Sequence, residues 1–153
     1  MAGIEVEKLT HPDIDKFIEL IRVFEDVFEM KNLTMPGTDY LQKLLEKDIF
    51  FVFVAVSHNR VVGGLTAYML QQYYSQLPVV YIYDLAVKTE LQRQGIGKLL
   101  IAGITDYCKA IGVEEVFVQA DLADGYALDF YRATGATAEE VVHFTYALNK
   151  AKG

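Results

Sequence analysis

The pattern of hydrophobic and polar residues changes its period along this chain, and each change marks a predicted element. Residues 4–9 alternate with period two, which indicates a short strand. Apolar residues then recur at helical spacing over 14–30 and again over 38–47, with a break at 32–37. Two amphipathic helices are therefore predicted after the first strand.

Three apolar runs follow the second helix. Residues 49–57 and 61–72 predict a hairpin joined by a polar turn, and residues 79–87 predict a buried central strand. From Ile96 the apolar residues fall on one helical stripe, and Gly112 is a stop signal. This long helix is the most regular element of the pattern.

The last third of the chain predicts a strand at 115–120, a short helix at 125–134 and a final strand at 139–148. A strand, a helix and a strand of these lengths form a crossover unit, so the strands ending at Val87 and Ala120 should be parallel neighbours. The pattern predicts an α/β fold with a parallel strand pair.

Length and composition limit what the protein can be. At 153 residues and 52% hydrophobic content, the chain suits one domain over 1–153. It has no apolar run of about 18 residues and no basic leader before an apolar core, so we expect a soluble cytoplasmic protein. A net charge of −7 argues against nucleic acid or membrane as partner and permits a cationic substrate.

The single cysteine, Cys108, excludes an internal disulfide and a cysteine-rich metal site. Its position on the long helix favours inert packing, and the alternative is a nucleophile. No histidine lies near it in sequence, which argues against the alternative.

A glycine-rich loop joins the predicted central strand to the long helix. The unpaired N–H groups and the dipole of a helix start favour a bound anion, and Gly95 and Gly97 would let a phosphate reach the backbone. The flanking charges are mostly basic: Lys88, Arg93 and Lys98 against Glu90. Neither a Walker loop nor a dinucleotide fingerprint fits this spacing. The alternative is a glycine turn used only for tight packing.

Two sequence blocks resemble the GNAT superfamily of N-acetyltransferases. The first is Gln92-x-x-Gly95-x-Gly97 after a strand that ends Asp-Leu-Ala-Val, and the second is the aromatic pair Phe130-Tyr131 followed by Gly135. Over about residues 40–146 the chain is also similar to the aminoglycoside 3-N-acetyltransferases of the gentamicin-modifying type. That similarity rests on these segments: 81–87, 93–96, 118–121, 124, 131 and 139–144.

The resemblance implies a mixed, mostly antiparallel sheet with a central parallel strand pair and flanking helices. It implies acetyl-coenzyme A (acetyl-CoA) as cosubstrate, no metal, and acetyl transfer to the 3-amino group of an aminoglycoside, which would confer antibiotic resistance. The residues it assigns to coenzyme A are Leu85, Ala86, Val87, Gln92, Arg93, Gln94, Gly95, Ile96, Gly97, Lys98 and Tyr131. The oligomeric state stays open between a monomer and a homodimer.

Direct attack of an amine on a thioester needs no covalent enzyme intermediate. It needs a base for the amine and a proton for the leaving thiolate. Asp84 lies in an otherwise apolar run, where an unpaired carboxylate would cost several kcal/mol, so it is the predicted base. Tyr131 matches the superfamily tyrosine whose hydroxyl protonates the thiolate. The alternatives are a carboxylate that accepts local backbone N–H groups and a tyrosine that packs on the sheet.

Other polar residues extend the predicted acceptor site. Asp121 ends a strand and Asp124 follows three residues later, so both can face the same cleft or cap the next helix. The resemblance adds three residues of the last predicted strand: Glu139, Glu140 and His143. His143 can relay a proton, and the alternative for all three is an ordinary strand position.

Two other functions fit the same residues. One is the same chemistry on another amine, such as a polyamine metabolite or a protein N-terminus. The other is a module that binds acyl-CoA without turnover. Asp84 and Tyr131 argue against the second, because a passive binder needs neither residue.

Overall fold

The computed structural model describes residues 3–149, and its elements follow the predicted order closely. They are β1 (Glu5–Lys8), α1 (Ile14–Val27), α2 (Thr38–Leu45), β2 (Phe50–Ser57), β3 (Arg60–Leu70), β4 (Val79–Val87), α3 (Ile96–Ala110), β5 (Glu115–Val118) and α4 (Gly125–Ala133). None of the helices within these residues is both long enough and apolar enough to cross a membrane.

The five strands form one sheet in the order β1-β2-β3-β4-β5. The first three pairings are antiparallel, and β4 pairs with β5 in parallel. The mixed fold and the parallel pair predicted from the crossover are confirmed. The crossover helix α3 covers one face of the sheet, and α1 and α2 cover the other.

The core has two layers because β2 is apolar on both faces. Phe51 and Phe53 pack with α3, whereas Val52 and Val54 pack with α1 and α2. A central strand covered on both sides needs such a continuous apolar run. This rigid sheet holds the end of β4, where the polar residues of interest begin.

The predicted last strand at 139–148 does not form within the described residues, so that prediction is wrong for a single copy of the chain. The segment is extended and all of its residues are exposed. A period-two pattern shows which faces a strand would have but supplies no neighbour, and a strand needs a neighbour for its hydrogen bonds.

Candidate active site

A cleft of about 810 Å³ opens at the end of β4, between the glycine loop, the start of α3, and α4. It opens there because the pairing of β4 with β5 stops at Ile82 and Val118, although β4 continues to Val87. Residues 83–87 thus have no strand beside them on the side away from β3, within the described part of the chain. Their backbone polar groups on that side can bind a ligand.

A bulge in β4 determines where Asp84 points. Thr66 of β3 faces Asp84 and the next residue, Ala67, faces Ile82, so that Tyr83 is the extra residue. Before the bulge, Ile82 faces the core beneath α3; after it, Leu85 packs on that same core and Ala86 faces α1. Regular alternation would have put Asp84 on the face of Ile82. The bulge keeps the carboxylate out of the apolar core.

The glycine loop begins α3 with a left-handed residue. Gly95 has a φ of 87°, and a Cβ built on it would meet nothing within 4 Å, so its surface is open. The Gln92 Nε2 donates to the carbonyl of Val87 at 3.1 Å and ties the loop to β4. The open backbone surface at Gly95 is what a bound phosphate would need, and the anion site remains a prediction.

Gly97 has a different reason to be glycine. A Cβ at this position would lie 2.8 Å from ring atoms of Phe130, so the glycine lets α4 pack directly against α3. Tight packing, the alternative considered for the glycine turn, therefore applies at Gly97. Both glycines line the cleft.

Two of the three predicted basic residues line the cleft, namely Arg93 and Lys98. The guanidinium carbon of Arg93 lies 4.8 Å from the ring centre of Tyr126, a cation–π contact between the loop and α4. Lys88 does not belong to this site, because it lines a separate hollow together with Glu90.

Asp84 and Tyr131 have shifted acidities. Burial raises the pKa of Asp84, and burial followed by the charges of Asp124 and Asp84 raises the pKa of Tyr131 to about 12. The charges act on Tyr131 because the three side chains lie in one region. Backbone N–H groups donating to Asp84 would lower its pKa, so the raised value argues against the local backbone interpretation.

Asp124 has both of the roles considered for it. Its Oδ1 accepts from the N–H of Ala127 at 3.1 Å, which caps α4, and the residue also lines the cleft. Asp121 is exposed and lies outside the cleft lining. The same holds for three residues of the exposed distal segment: Glu139, Glu140 and His143.

Aromatic residues near Asp84 were not singled out from the sequence. The rings of Tyr68 and Tyr83 meet edge to face at 5.7 Å, and Tyr81 meets Tyr83 at 5.8 Å. Tyr83, the bulge residue, is 59% exposed. In the sequence, the alternation Tyr81-Ile82-Tyr83 was the pattern from which this aromatic surface could have been predicted. We call Tyr68, Tyr81 and Tyr83 the tyrosine wall.

Cys108 lies in the core beneath the sheet, and burial raises the pKa of its thiol to about 11. A thiol of this kind is a poor nucleophile because so little of it is ionised. The structure thus favours the packing role predicted for it.

A sequence model described as the Acetyltransferase (GNAT) family matches residues 17–136, which include the whole cleft. The chain therefore belongs to the GNAT family of acetyltransferases. No curated protein sequence matches closely enough to narrow this further.

Solved structures extend the comparison. The chain is 57% identical to the aminoglycoside acetyltransferase meta-AAC0020, from an uncultured soil metagenomic sample, in complex with sisomicin; the TM-score is 0.94, with 96% of this chain and 97% of that chain covered. It is 32% identical to the aminoglycoside acetyltransferase HMB0005, also from an uncultured soil metagenomic sample, with a TM-score of 0.89 and coverages of 95% and 99%. AAC(6')-Iy in complex with CoA shares the fold at 16% identity, with a TM-score of 0.76 and 94% of each chain covered.

Proposed function

We propose that this protein transfers an acetyl group from acetyl-CoA to the 3-amino group of a gentamicin-type aminoglycoside, by direct attack while both substrates are bound. One observation carries the proposal. A single cleft is lined by the start of α3 with Arg93 and Lys98 and by Asp124 and Tyr131 of α4, and Asp84, which lies outside that lining, is near enough to Tyr131 for its charge to raise the pKa of that hydroxyl. The similarity to an acetyltransferase solved with sisomicin supports the choice of acceptor.

The donor end fits coenzyme A. The open surface of Gly95 and the free N–H groups of the first turn of α3 suit a pyrophosphate, and Arg93 and Lys98 add positive charge. Leu85, Ala86 and Val87 line the cleft where β4 lacks a neighbour, so their backbone can pair with an extended amide chain. When bound, acetyl-CoA supplies the acetyl group as a thioester.

The proposed proton transfers follow from the two shifted pKa values. Burial makes Asp84 a stronger base than an ordinary carboxylate, which suits removal of a proton from a substrate ammonium group. Tyr131 keeps its proton throughout the physiological range, so its hydroxyl can donate to a sulfur leaving group. The raised value also makes it a weaker acid, which limits its contribution to the rate.

The acceptor end fits a polycationic sugar. Asp124 in the cleft lining and Asp84 near it supply negative charge, and the tyrosine wall beside Asp84, outside that lining, presents flat apolar surface against which the C–H faces of sugar rings can pack. Asp121 lies farther out, so we assign it a steering role at the rim. An extended peptide amine would leave most of these groups unused.

The test is a panel of amines incubated with acetyl-CoA, with released thiol as the readout. Sisomicin and gentamicin should be acetylated at the 3-amino group, located by NMR of the product. Spermidine and a peptide amine serve as comparison acceptors. If only spermidine or the peptide amine is acetylated, the acetyltransferase activity stands and the aminoglycoside is rejected as the acceptor. Acetylation of sisomicin at another amine would reject only the 3-amino group as the site of transfer.

A further inference from the structure

Thr66 is the one polar residue whose side chain is buried in the described part of the chain. It lies in the middle of β3 and is 7% exposed, whereas the other side chains buried there are apolar. A hydroxyl that is taken out of water costs free energy unless it has a hydrogen-bond partner. A buried threonine is therefore expected to have a polar partner nearby.

The register of the sheet places Thr66 directly beside Asp84. The two residues are partners across β3 and β4, next to the bulge. Leu65 packs beneath α3, so Thr66 faces the other side of the sheet. Asp84 lies two residues before Ala86, which packs with α1, so it shares that side. Opposed residues of antiparallel strands hold their Cβ atoms about 4.5–5.5 Å apart, so the hydroxyl and the carboxylate are close neighbours.

Two other sides of Thr66 are apolar. Its partner on β2 is Val52, which is 1% exposed. Towards the start of β3, the next residue on the same face is Gly64, and a Cβ built there would lie 2.6 Å from a methyl carbon of Leu20. A leucine of α1 thus fills that space. Of the sheet neighbours of Thr66 on this face, Asp84 is the one that carries a charge.

Water can reach the Thr66 hydroxyl. This hydroxyl takes part in no side-chain hydrogen bond among residues 3–149, and no fully enclosed side-chain polar atom in that range lacks a partner, so the hydroxyl is not fully enclosed. Since two of its other sides are apolar, the opening lies towards Asp84 and Tyr68. A water there would have three partners: the hydroxyl, the carboxylate, and the backbone groups that the bulge leaves unpaired at Tyr83.

We propose that Thr66 is a positioning residue for Asp84, which it holds through one shared water. The hydroxyl donates to the water, and the water donates to one carboxylate oxygen. The other oxygen accepts the proton of the substrate ammonium group, and the amine keeps the electron pair with which it attacks the thioester. This inference rests on the proposed role of Asp84 as the base.

Two properties of Asp84 should depend on this contact. The first is the orientation of the carboxylate, because an oxygen that is held cannot rotate away from the acceptor. The second is the pKa. Burial raises the pKa of Asp84, and a donor to the charged form offsets part of that rise. Loss of the Thr66 hydroxyl should therefore raise the pKa of Asp84 further.

Other titratable groups lie in the region of Asp84, and the test has to separate them. They come from α2, β3, β4 and α4: Tyr40, Tyr68, Tyr81, Tyr83, Asp124 and Tyr131. Tyrosines are ordinarily neutral below about pH 10, so Asp124 is the one among them that can add a charge where carboxyl groups titrate. The 13C signal of the Asp84 carboxyl, assigned by its loss in Asp84→Asn, reports on this residue alone.

The first test follows that signal in a pH titration. Thr66→Val keeps the shape of the side chain and suits the apolar side of Val52, so the protein should stay folded while the pKa of Asp84 rises by about one pH unit. Thr66→Ser keeps the hydroxyl and should stay within about 0.3 pH units of the wild type. Thr105→Val is the matched control, because it removes a hydroxyl that donates to the backbone of its own helix, and it should leave the Asp84 titration unchanged.

The second test measures rates with the amine that the acceptor panel identifies. Thr66→Val should lower kcat by at least about 10-fold with KM for acetyl-CoA unchanged, and the acid limb of its pH profile should move with the pKa of Asp84. Thr66→Ser should recover most of the rate. A residue with only a packing role would change the Tm and leave the titration of Asp84 where it is.

An Asp84 pKa that does not rise in Thr66→Val would overturn the proposal, as would a Thr66→Ser protein that behaves like Thr66→Val. The titration needs no substrate, so it tests the contact even if no aminoglycoside is acetylated. A pKa that rises while the rate with every acceptor stays the same would reject Asp84 as the base, and with it a positioning role for Thr66.

Discussion

Asp84 is a charged residue that the fold holds at an energetic cost. Because burial raises its pKa, the folded protein binds more protons than the unfolded chain between the unfolded pKa and the folded one. Stability therefore falls as pH rises through that window, and the full cost is present near neutral pH. A residue retained at such a cost is a candidate for a functional role.

Asp84→Asn should therefore stabilise the protein near neutral pH while lowering kcat/KM for the amine by at least about 100-fold. The gain in Tm should be a few degrees near neutral pH, should shrink as pH falls through the raised folded pKa, and should vanish by about pH 4, where the wild-type carboxyl is also neutral. Calorimetry at several pH values measures it. Asp121→Asn is the control and should leave Tm nearly unchanged. An Asp84→Asn protein less stable than wild type at neutral pH would contradict this reasoning.

Tyr131→Phe should lower kcat by about 10- to 1,000-fold with little change in KM for acetyl-CoA, because only the proton donor is lost. Tyr126→Phe is a matched control, since it keeps the ring that contacts Arg93. Steady-state kinetics on both variants test the assignment. With a pKa of about 12, ionisation of Tyr131 should not reduce wild-type activity below about pH 10. Equal loss in both variants would return Tyr131 to a packing role.

At the scale of elements, α3 and α4 pack closely together because residue 97 is a glycine and has no side chain. Gly97 lies against the Phe130 ring, and α4 carries both Asp124 and Tyr131. The close contact of the two helices therefore positions one side of the cleft. No residue of α4 is fully buried, so the helix depends on a few contacts such as this one and that of Tyr126 with Arg93.

Gly97→Ala should destabilise the protein by about 1–3 kcal/mol, because its Cβ would overlap the Phe130 ring. It should also lower kcat by displacing Tyr131. The double variant Gly97→Ala/Phe130→Leu should recover much of the stability, since the smaller side chain relieves the overlap. Chemical denaturation measures both. A double variant no more stable than the single one would show that the contact is not the cause.

A substitution at Gly95, two residues before Gly97, should have a different effect. Its Cβ position is open, so Gly95→Glu should leave a folded protein despite the strain of a positive φ. The carboxylate would occupy the proposed phosphate position. Acetyl-CoA should then no longer raise the Tm, whereas it should still do so for the wild type. A full Tm shift in a folded Gly95→Glu protein would refute the loop assignment.

The spacing of apolar residues predicted most of the helices and strands, because an element that buries one face must be apolar at each position on that face. α3 and the run of β2 are examples, since each is apolar where it meets the sheet or the helices. The bulge at Tyr83 could not be predicted, because Tyr-Ile-Tyr-Asp alternates like a regular strand. The prediction of a last strand was wrong for a related reason. The pattern of residues 139–148 does not show whether a neighbouring strand is there to share hydrogen bonds, and none of the described residues pairs with this segment.

The candidate site was partly predictable. The glycine loop, Asp124 and Tyr131 line one cleft, with Asp84 near Tyr131, because strand ends and helix starts meet at one edge of a parallel pair. Tyr126 and Phe130 were not assigned to this site from the pattern. Their contacts depend on how α4 packs, and α4 has too few buried residues for its sequence to fix its position.

At the scale of the whole molecule, the basic residues of the cleft stand out against an acidic chain. The chain has a net charge of −7, yet Arg93 and Lys98 line the cleft beside the start of α3. The remaining field is negative and attracts polycations. Under the proposed function, the basic loop would attract the anionic donor while the acidic remainder of the chain attracts the acceptor.

Raising the salt concentration from about 0.02 to 0.3 M should raise KM for a polycationic aminoglycoside severalfold, because screening weakens long-range attraction. The effect on a monoamine acceptor should be small, which provides the control. Initial rates at fixed, saturating acetyl-CoA measure both. An equal rise for the two acceptors would mean that salt acts on the fold or the donor instead.

Because Cys108 is buried, the release of coenzyme A thiol can be followed continuously by absorbance. With a thiol pKa of about 11, only about one Cys108 side chain in a thousand is ionised at pH 8, and the sheet shields it from reagents. A disulfide dye added to the reaction would therefore react with liberated coenzyme and not with the catalyst. Slow colour from the protein alone would then report its unfolding, so one cuvette could follow both turnover and loss of the native state.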